Sequence, residues 1–353
     1  MKSIVSLESK NRDSNFELLR IIAMAMIVMG HFVVHGVWQG EFCSAADLQR
    51  PWNCVFENLI YSFCVCGVNI FVLISGYHKI KLKLKSFLSL WFLCAFYGII
   101  AAIVKNYAEV SLFPAIVKAL FISKSQWFFV AYLWLLLLSP ILNAGLDSLS
   151  LKSLRTAIFL LFILNCFSGW VLDNGNADGY NVLHLIFIYS VGTWIKKETI
   201  FNNYSHTTYF IIFMMLSVLI FMSSVLSLFV LDGSNFPIYF YNNPLVVLAS
   251  ISFFCCFSKL KLQSNIINIV ASTVVASIFI QDFIASEWIY MNINSAYNAG
   301  IPTYLINCLA FFLGIFIIAF LIDNFRQMIC RPLIEKLISI VEKGLGNVKI
   351  FLR

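Results

Sequence analysis

Charge is scarce in this chain: only 12% of its 353 residues are Asp, Glu, Lys or Arg, against 61% hydrophobic. Soluble domains run to about half apolar and about a quarter charged, so a water-soluble globular fold is excluded. No removable leader is expected, because the first apolar run is too long for one and no small-residue cleavage site follows it. The chain also lacks low-complexity tracts, polar linkers able to separate soluble domains, and any internal repeat with a period of about 20 to 50 residues. Eight of the ten cysteines lie in or beside apolar runs without the paired spacing of a zinc site. They read as small buried hydrophobes, and no metal or resident cofactor is expected.

What is present is a series of ten apolar runs, at 17–38, 57–78, 86–104, 126–143, 154–172, 183–195, 207–231, 244–257, 266–289 and 302–322. Each reads as a helix crossing a hydrocarbon core of about 30 Å, with the sixth and eighth short for that task. The cations support the count. With an inside N-terminus, 19 of the 24 Lys and Arg residues fall in inside segments and 4 in outside loops, with Arg20 within the membrane. The net charge of +7 is therefore a topology signal and an attraction to anionic lipid or phosphate, not a nucleic-acid footprint. The expected architecture is an all-α integral membrane protein of about ten transmembrane helices with both termini cytoplasmic. Residues 1–322 form the membrane domain and 323–353 a basic cytoplasmic tail, in which 333–345 is amphipathic and expected to lie along the inner surface. In the outer stretch 111–122, Leu112, Phe113, Ile116, Val117 and Leu120 recur at helical spacing and predict a short interfacial helix.

Inside the first run stand Arg20 and His31. A helix advances about 1.5 Å and about 100° per residue, so eleven steps place them within roughly 20° of one face and about 16 Å apart along the axis. A titratable pair inside a span is costly and by default marks a function: an anion site at one end, proton transfer at the other. The competing reading has Arg20 reaching the inner headgroups and His31 hydrogen-bonding a neighbouring helix.

Three stretches together are recognisable. Asn15-Phe-Glu-Leu-Leu-Arg-Ile-Ile-Ala with the spacing to His31 resembles the opening of the acyltransferase family 3 membrane proteins. Gly67-Val-Asn-Ile-Phe-Val-Leu-Ile-Ser-Gly-Tyr77 before a lysine-rich loop resembles that family's second-helix motif. Gln126-Trp-Phe-Phe-Val-Ala-Tyr with Leu138-Ser-Pro-Ile-Leu-Asn143 resembles its fourth-span motif. The likeness runs in order along nearly the whole chain.

The resemblance implies an O-acyltransferase of a bacterial inner or plasma membrane, usually moving acetyl from cytoplasmic acetyl-CoA to a hydroxyl of a surface polysaccharide, such as an O-antigen, or a lipid-linked glycan precursor. Its partners are then the acyl-CoA donor, the glycan and membrane lipids. Arg20 and His31 become the active-site pair, with His31 as general base and Arg20 on the CoA end of the donor or the developing oxyanion. No Gly-x-Ser-x-Gly motif is present, which favours direct transfer over an acyl-enzyme. The chain departs from the family where many relatives carry Tyr-Leu-Ile-His followed by an acid: here stands Ile278-Phe-Ile-Gln281-Asp282. Glutamine can hydrogen-bond but cannot act as acid or base near neutral pH. The alternative class is a glycan transporter, flippase or polymerase that uses Arg20 and His31 as a substrate or proton-coupling site.

Around this pair, His35 reads as a wet outer-mouth residue, since no acidic motif makes it a metal ligand. Ser75 and Tyr77 permit helix packing or ligand contact, and Asn69, Gln281, Asp282, Glu57, Asn143, His184 and Glu287 are candidates for a polar cavity or for structural hydrogen bonds. Lys79, Lys81, Lys83 and Lys85 serve topology or meet the CoA phosphates. Trp38, Trp52, Trp194 and Trp288 read as interfacial anchors. Cys43 and Cys54 share the first outer loop and are candidates for a disulfide if the exterior is oxidising.

Overall fold

Backbone groups with no water nearby must pair within their own segment, and this chain does so as helices. The computed structural model describes residues 13–39, 51–106, 112–120, 126–172, 178–230 and 238–344, among which no strand forms. In chain order the helices are α1 (Ser14–His31), α2 (Pro51–Cys64), α3 (Gly67–His78), α4 (Leu84–Asn106) and the short α5 (Leu112–Ala119). They continue with α6 (Trp127–Ser148), α7 (Leu151–Ile163), α8 (Val182–Lys197), α9 (His206–Val230) and α10 (Pro244–Ser258). The last four are α11 (Asn265–Ala271), α12 (Ala276–Phe279), α13 (Ser286–Ala299) and α14 (Ile301–Gly344). Wider π-helical turns extend three of them: Phe32–Val37 after α1, Leu164–Val171 after α7 and Ile280–Ile284 after α12.

Among the described residues, eight helical segments are long and apolar enough to cross a membrane. The sixth and eighth apolar runs form α8 and α10, of 16 and 15 residues. The second run is broken at Val65 and Cys66 into α2 and α3, and the ninth divides into α11, α12 and a separate α13. From Ile301 the last helix continues to Gly344 through Pro332, so the basic stretch after 322 begins inside it. Cys43 lies outside the described residues, while Cys54 is buried and receives the Asn58 amide on its sulfur at 3.6 Å.

Several boundaries follow from local chemistry. Asn181 caps α8 by accepting from Leu183 N–H at 2.9 Å and His184 N–H at 3.2 Å. Asn243 caps α10 at Leu245 N–H, 2.9 Å, with Pro244 in the first turn, where its missing N–H costs nothing. Lys79, at φ 53°, ends α3 in the left-handed conformation.

The helix α1 is the hub, packing on α2, α3, α10, α11, α12 and α14. It divides its buried face between two apolar cores. Phe16, Leu19 and Ala23 enter one with α3, α8 and α10, while Met24, Val28 and Phe32 enter the other with α4, α12 and α14. Polar ties join the periphery. Arg155 grips Glu198 through two bonds of 2.5 and 2.9 Å, and this hydrogen-bonded guanidinium holds the Glu198 carboxyl down to about 2. The Tyr97 hydroxyl of α4 and Arg326 of α14 both donate to Asp323, at 3.2 and 2.6 Å. Trp52 and Trp288 stay 79% and 63% exposed, as lipid-interface residues would, but Trp38 is buried. Its indole donates to Glu57 at 2.8 Å between the rings of Tyr61 and Tyr239. That correction arises because the π-helical turn rotates Trp38 inward, where the indole N–H needs a partner.

The tightest crossing joins α3 and α8. A Cβ at Gly192 would stand 2.5 Å from the Leu73 carbonyl, and one at Gly76 would fall on the Tyr189 carbonyl. Thr193 stitches the crossing by donating to the Gly76 carbonyl at 3.0 Å. Gly76→Ala should therefore push backbone against backbone and cost about 3 kcal/mol, the upper part of the overpacking range. Gly145→Ala, with nothing near its Cβ, should be neutral or slightly stabilising. Thermal unfolding of both variants in detergent micelles compares them directly, and equal melting temperatures would refute the crossing as a constraint.

Candidate active site

A cavity of about 620 Å³ opens between the two cores, with Arg20 and Glu17 at one end and His31, His35 and Asp282 farther along α1. Regular helix from Ser14 to His31 keeps Arg20 and His31 on this cavity, about 16 Å apart along the axis.

His31 closes the last regular turn of α1, just before the π-helical stretch Phe32–Val37. Asp282 sits within the third such stretch, Ile280–Ile284. Extra residues in a helix re-aim its side chains, and such widened turns gather at functional sites. Here they bring together residues 251 positions apart: His31 Nδ1 lies 2.8 and 3.1 Å from the two Asp282 oxygens. The Tyr290 hydroxyl of α13 donates to the same carboxylate. The His35 ring stands edge-on to His31 at 5.0 Å and 5.4 Å from Tyr290. With Nδ1–H donated to the carboxylate, the neutral ring keeps the lone pair of Nε2 for accepting a proton. Among the described residues no hydrogen-bond partner occupies Nε2.

Gln281, beside Asp282, points the other way. It is fully buried and donates to the Val28 carbonyl of α1 at 2.9 Å. The glutamine thus anchors the widened turn to the hub helix, while Asp282 faces the cavity. At the far end, Arg20 donates to Glu17 at 2.7 Å, one turn back, and keeps about a third of its side chain exposed.

The other sequence-derived candidates divide. Ser75 lines the cavity, bonded to the Tyr132 hydroxyl at 2.9 Å. Tyr77 packs against Phe16 and Phe254 with the Lys196 ammonium 5.2 Å from its ring centre, away from the cavity. Lys79 pairs with Asp147, which Lys197 also approaches at 3.1 Å; neither Lys79 nor Lys81, Lys83 or Lys85 lines the cavity. Asn69 and His184 are buried together, 2.8 Å apart, and Asn143 ties Ile80 to Tyr189. Glu57 receives Trp38, and Glu287 is exposed.

Sequence reasoning missed Glu17 as the partner of Arg20, although spacing i, i+3 on one helix face was a readable signal. It also missed Tyr290, Tyr61, Tyr180 and Tyr241, which reach the site from separate elements with no shared spacing.

A histidine hydrogen-bonded to a carboxylate thus opens on a cavity within an apolar helical bundle. The sequence profile described as an acyltransferase domain matches residues 13–323, and the chain belongs to that family, acyltransferase family 3. It is a multi-pass membrane acyltransferase. No curated protein and no solved structure matches it significantly.

If the carboxylate orients His31, Asp282→Asn should lower acyl transfer between about 10²- and 10⁴-fold, since an amide can present its N–H and enforce the wrong tautomer. Tyr290→Phe, which removes one of the carboxylate's donors, should cost about tenfold or less. Initial rates per folded protein measure both; an Asp282→Asn rate within about threefold of wild type would remove Asp282 from the machinery.

Proposed function

We propose that the chain moves acetyl from cytoplasmic acetyl-CoA to a hydroxyl of a cell-surface polysaccharide or its lipid-linked precursor, in a bacterial inner or plasma membrane. The observation that carries this reading is the His31–Asp282 pair facing the same cavity as Arg20. The topology that goes with it has ten crossings, counting the short α8 and α10, and cytoplasmic termini, following the cation bias.

The acceptor hydroxyl oxygen attacks the thioester carbonyl carbon while His31 Nε2 takes its proton. Collapse of the tetrahedral intermediate breaks the carbon–sulfur bond, and the proton passes from His31 to the departing thiolate. The products are the ester and free CoA, with no covalent enzyme intermediate. Asp282 holds the ring and stabilises the imidazolium formed midway. Arg20 lies about 16 Å from this chemistry, beyond reach of the same carbonyl, so it holds the phosphate-bearing end of CoA rather than the oxyanion. The extended pantetheine arm then spans the interval along α1. The Arg20–Glu17 bond presets the guanidinium on the cavity wall.

Membranes carrying the protein, incubated with labelled acetyl-CoA and total glycan, should yield label in an alkali-labile ester. His31→Gln should abolish it, because shape and hydrogen bonding survive but basicity does not. Arg20→Lys should raise the KM for acetyl-CoA about tenfold or more, a point charge replacing a planar fork. Glycan moved or lengthened without label would instead identify a flippase or polymerase.

A further inference from the structure

Beyond the His31–Asp282 pair, the cavity ends in a wall of a different character. Two connections build it: residues 178–181 before α8 and 238–243 before α10. Both precede helices that begin at the same end of the bundle as α6, which starts at Trp127, and the end towards which α1 carries His31. The rings of Trp127, Tyr180 and Tyr241 pack mutually, at 4.6, 4.7 and 5.9 Å between centroids, and all three line the cavity. Tyr180 nevertheless remains 37% exposed.

Rings that only filled space would need no special support, yet this wall is braced. Tyr241 N–H donates to the Asp178 carbonyl at 3.0 Å, locking the two connections together. Gly179, at φ 78°, allows that approach, since a Cβ would stand 3.1 Å from the Asn242 nitrogen and from the Tyr241 Cβ. Asn69 donates to the Tyr241 carbonyl at 3.0 Å and is held in turn by His184 at 2.8 Å. The buried histidine is thus a positioning group for the wall.

Two polar side chains face the space, Gln126 and Tyr61. Gln126 is 7% exposed and Tyr61 is also 7% exposed, and both line the cavity. Among the described residues neither the Gln126 amide nor the Tyr61 hydroxyl forms a hydrogen bond, and neither is among the fully enclosed polar atoms, so both are reachable from the cavity. An amide and a phenol open to the cavity offer both donors and acceptors to a ligand held there.

We propose that Trp127, Tyr180 and Tyr241, with Gln126 and Tyr61, form the subsite for a neutral pyranose ring of the acceptor. The C–H face of a sugar lies against aromatic faces, and its hydroxyls match an amide and a phenol that both donate and accept. A quaternary ammonium would use the rings but leave the amide unsatisfied, and an acyl chain would leave both polar groups unsatisfied. This assignment rests on the acyl-transfer reading and names which part of the acceptor the site holds beside His31.

The test uses the full chain in nanodiscs and, as probe, host surface glycan freed of its esters by mild alkali. Saturation-transfer NMR on the His31→Gln protein should show transfer to pyranose C–H protons. Added to that protein, Trp127→Leu should abolish the signal, Gln126→Leu should weaken it several-fold, and Trp127→Phe should retain most of it. In the active enzyme, Gln126→Leu should raise the acceptor KM about tenfold, the size of one lost hydrogen bond between uncharged groups, leaving the KM for acetyl-CoA within about twofold. The proposal is overturned if the glycan gives no transfer signal, if neither leucine variant weakens the signal, or if their effect falls on acetyl-CoA. An active His31→Gln enzyme would sink the general-base reading while the NMR comparison still judged the subsite.

Discussion

A carboxylate within an apolar helical bundle cannot stand alone, and the contact between Asp282 and His31 is the constraint around which this fold is arranged. Asp282 reaches His31 only because the ninth apolar run abandons regular helix, passing through α12 and a widened turn before α13. The turn is held from both sides. Gln281 ties it to the Val28 carbonyl of α1, and Tyr290 of α13 donates to the carboxylate itself. Asn294, one turn farther along α13, donates to the Gly36 carbonyl beyond His35 at 3.1 Å. Each bond fixes the position of the imidazole, and preorganisation of this kind is what a base needs if it is to act without first rearranging its surroundings.

The second constraint is length. Because α1 is regular up to His31, the Arg20 and His31 ends of the cavity are set apart by helix rise alone, about 16 Å. A donor with its phosphates at one end and its thioester at the other fits such a separation, and a compact donor does not. On the proposed reading the acceptor enters from the braced aromatic end, and donor and acceptor approach the imidazole from opposite directions. The walls between the ends include apolar side chains, among them Met24, Ile27, Phe71 and Phe128.

The buried polar residues show how little can be told from polarity alone. His31 and His184 are both histidines in apolar helices. One keeps a ring nitrogen open to the cavity, whereas the other is enclosed, with both ring nitrogens facing asparagine oxygens, at 2.8 and 3.3 Å. Asn69 and Asn143 are likewise absorbed into links between helices. The lysines after α3 follow the same lesson in charge: Lys79 is spent on Asp147 and none of the four reaches the cavity.

What the sequence by itself determined were the features that depend on period and composition. Helical class, the apolar runs, the shared face of Arg20 and His31, and the membership implied by three motifs in order all follow from spacing along one chain. The Glu17–Arg20 bond was legible in the same way, one turn along a single helix. Only the tertiary structure decided which carboxylate meets His31, that Gln281 turns inward while Asp282 faces the cavity, and that Trp38 is buried against Glu57. Those outcomes depend on π-helical turns and on a break within an apolar run, where the period of 3.6 no longer predicts which way a side chain points. The aromatic wall was hidden for a related reason: its rings come from a helix start and two connections, brought together by backbone bonds between segments with no common spacing.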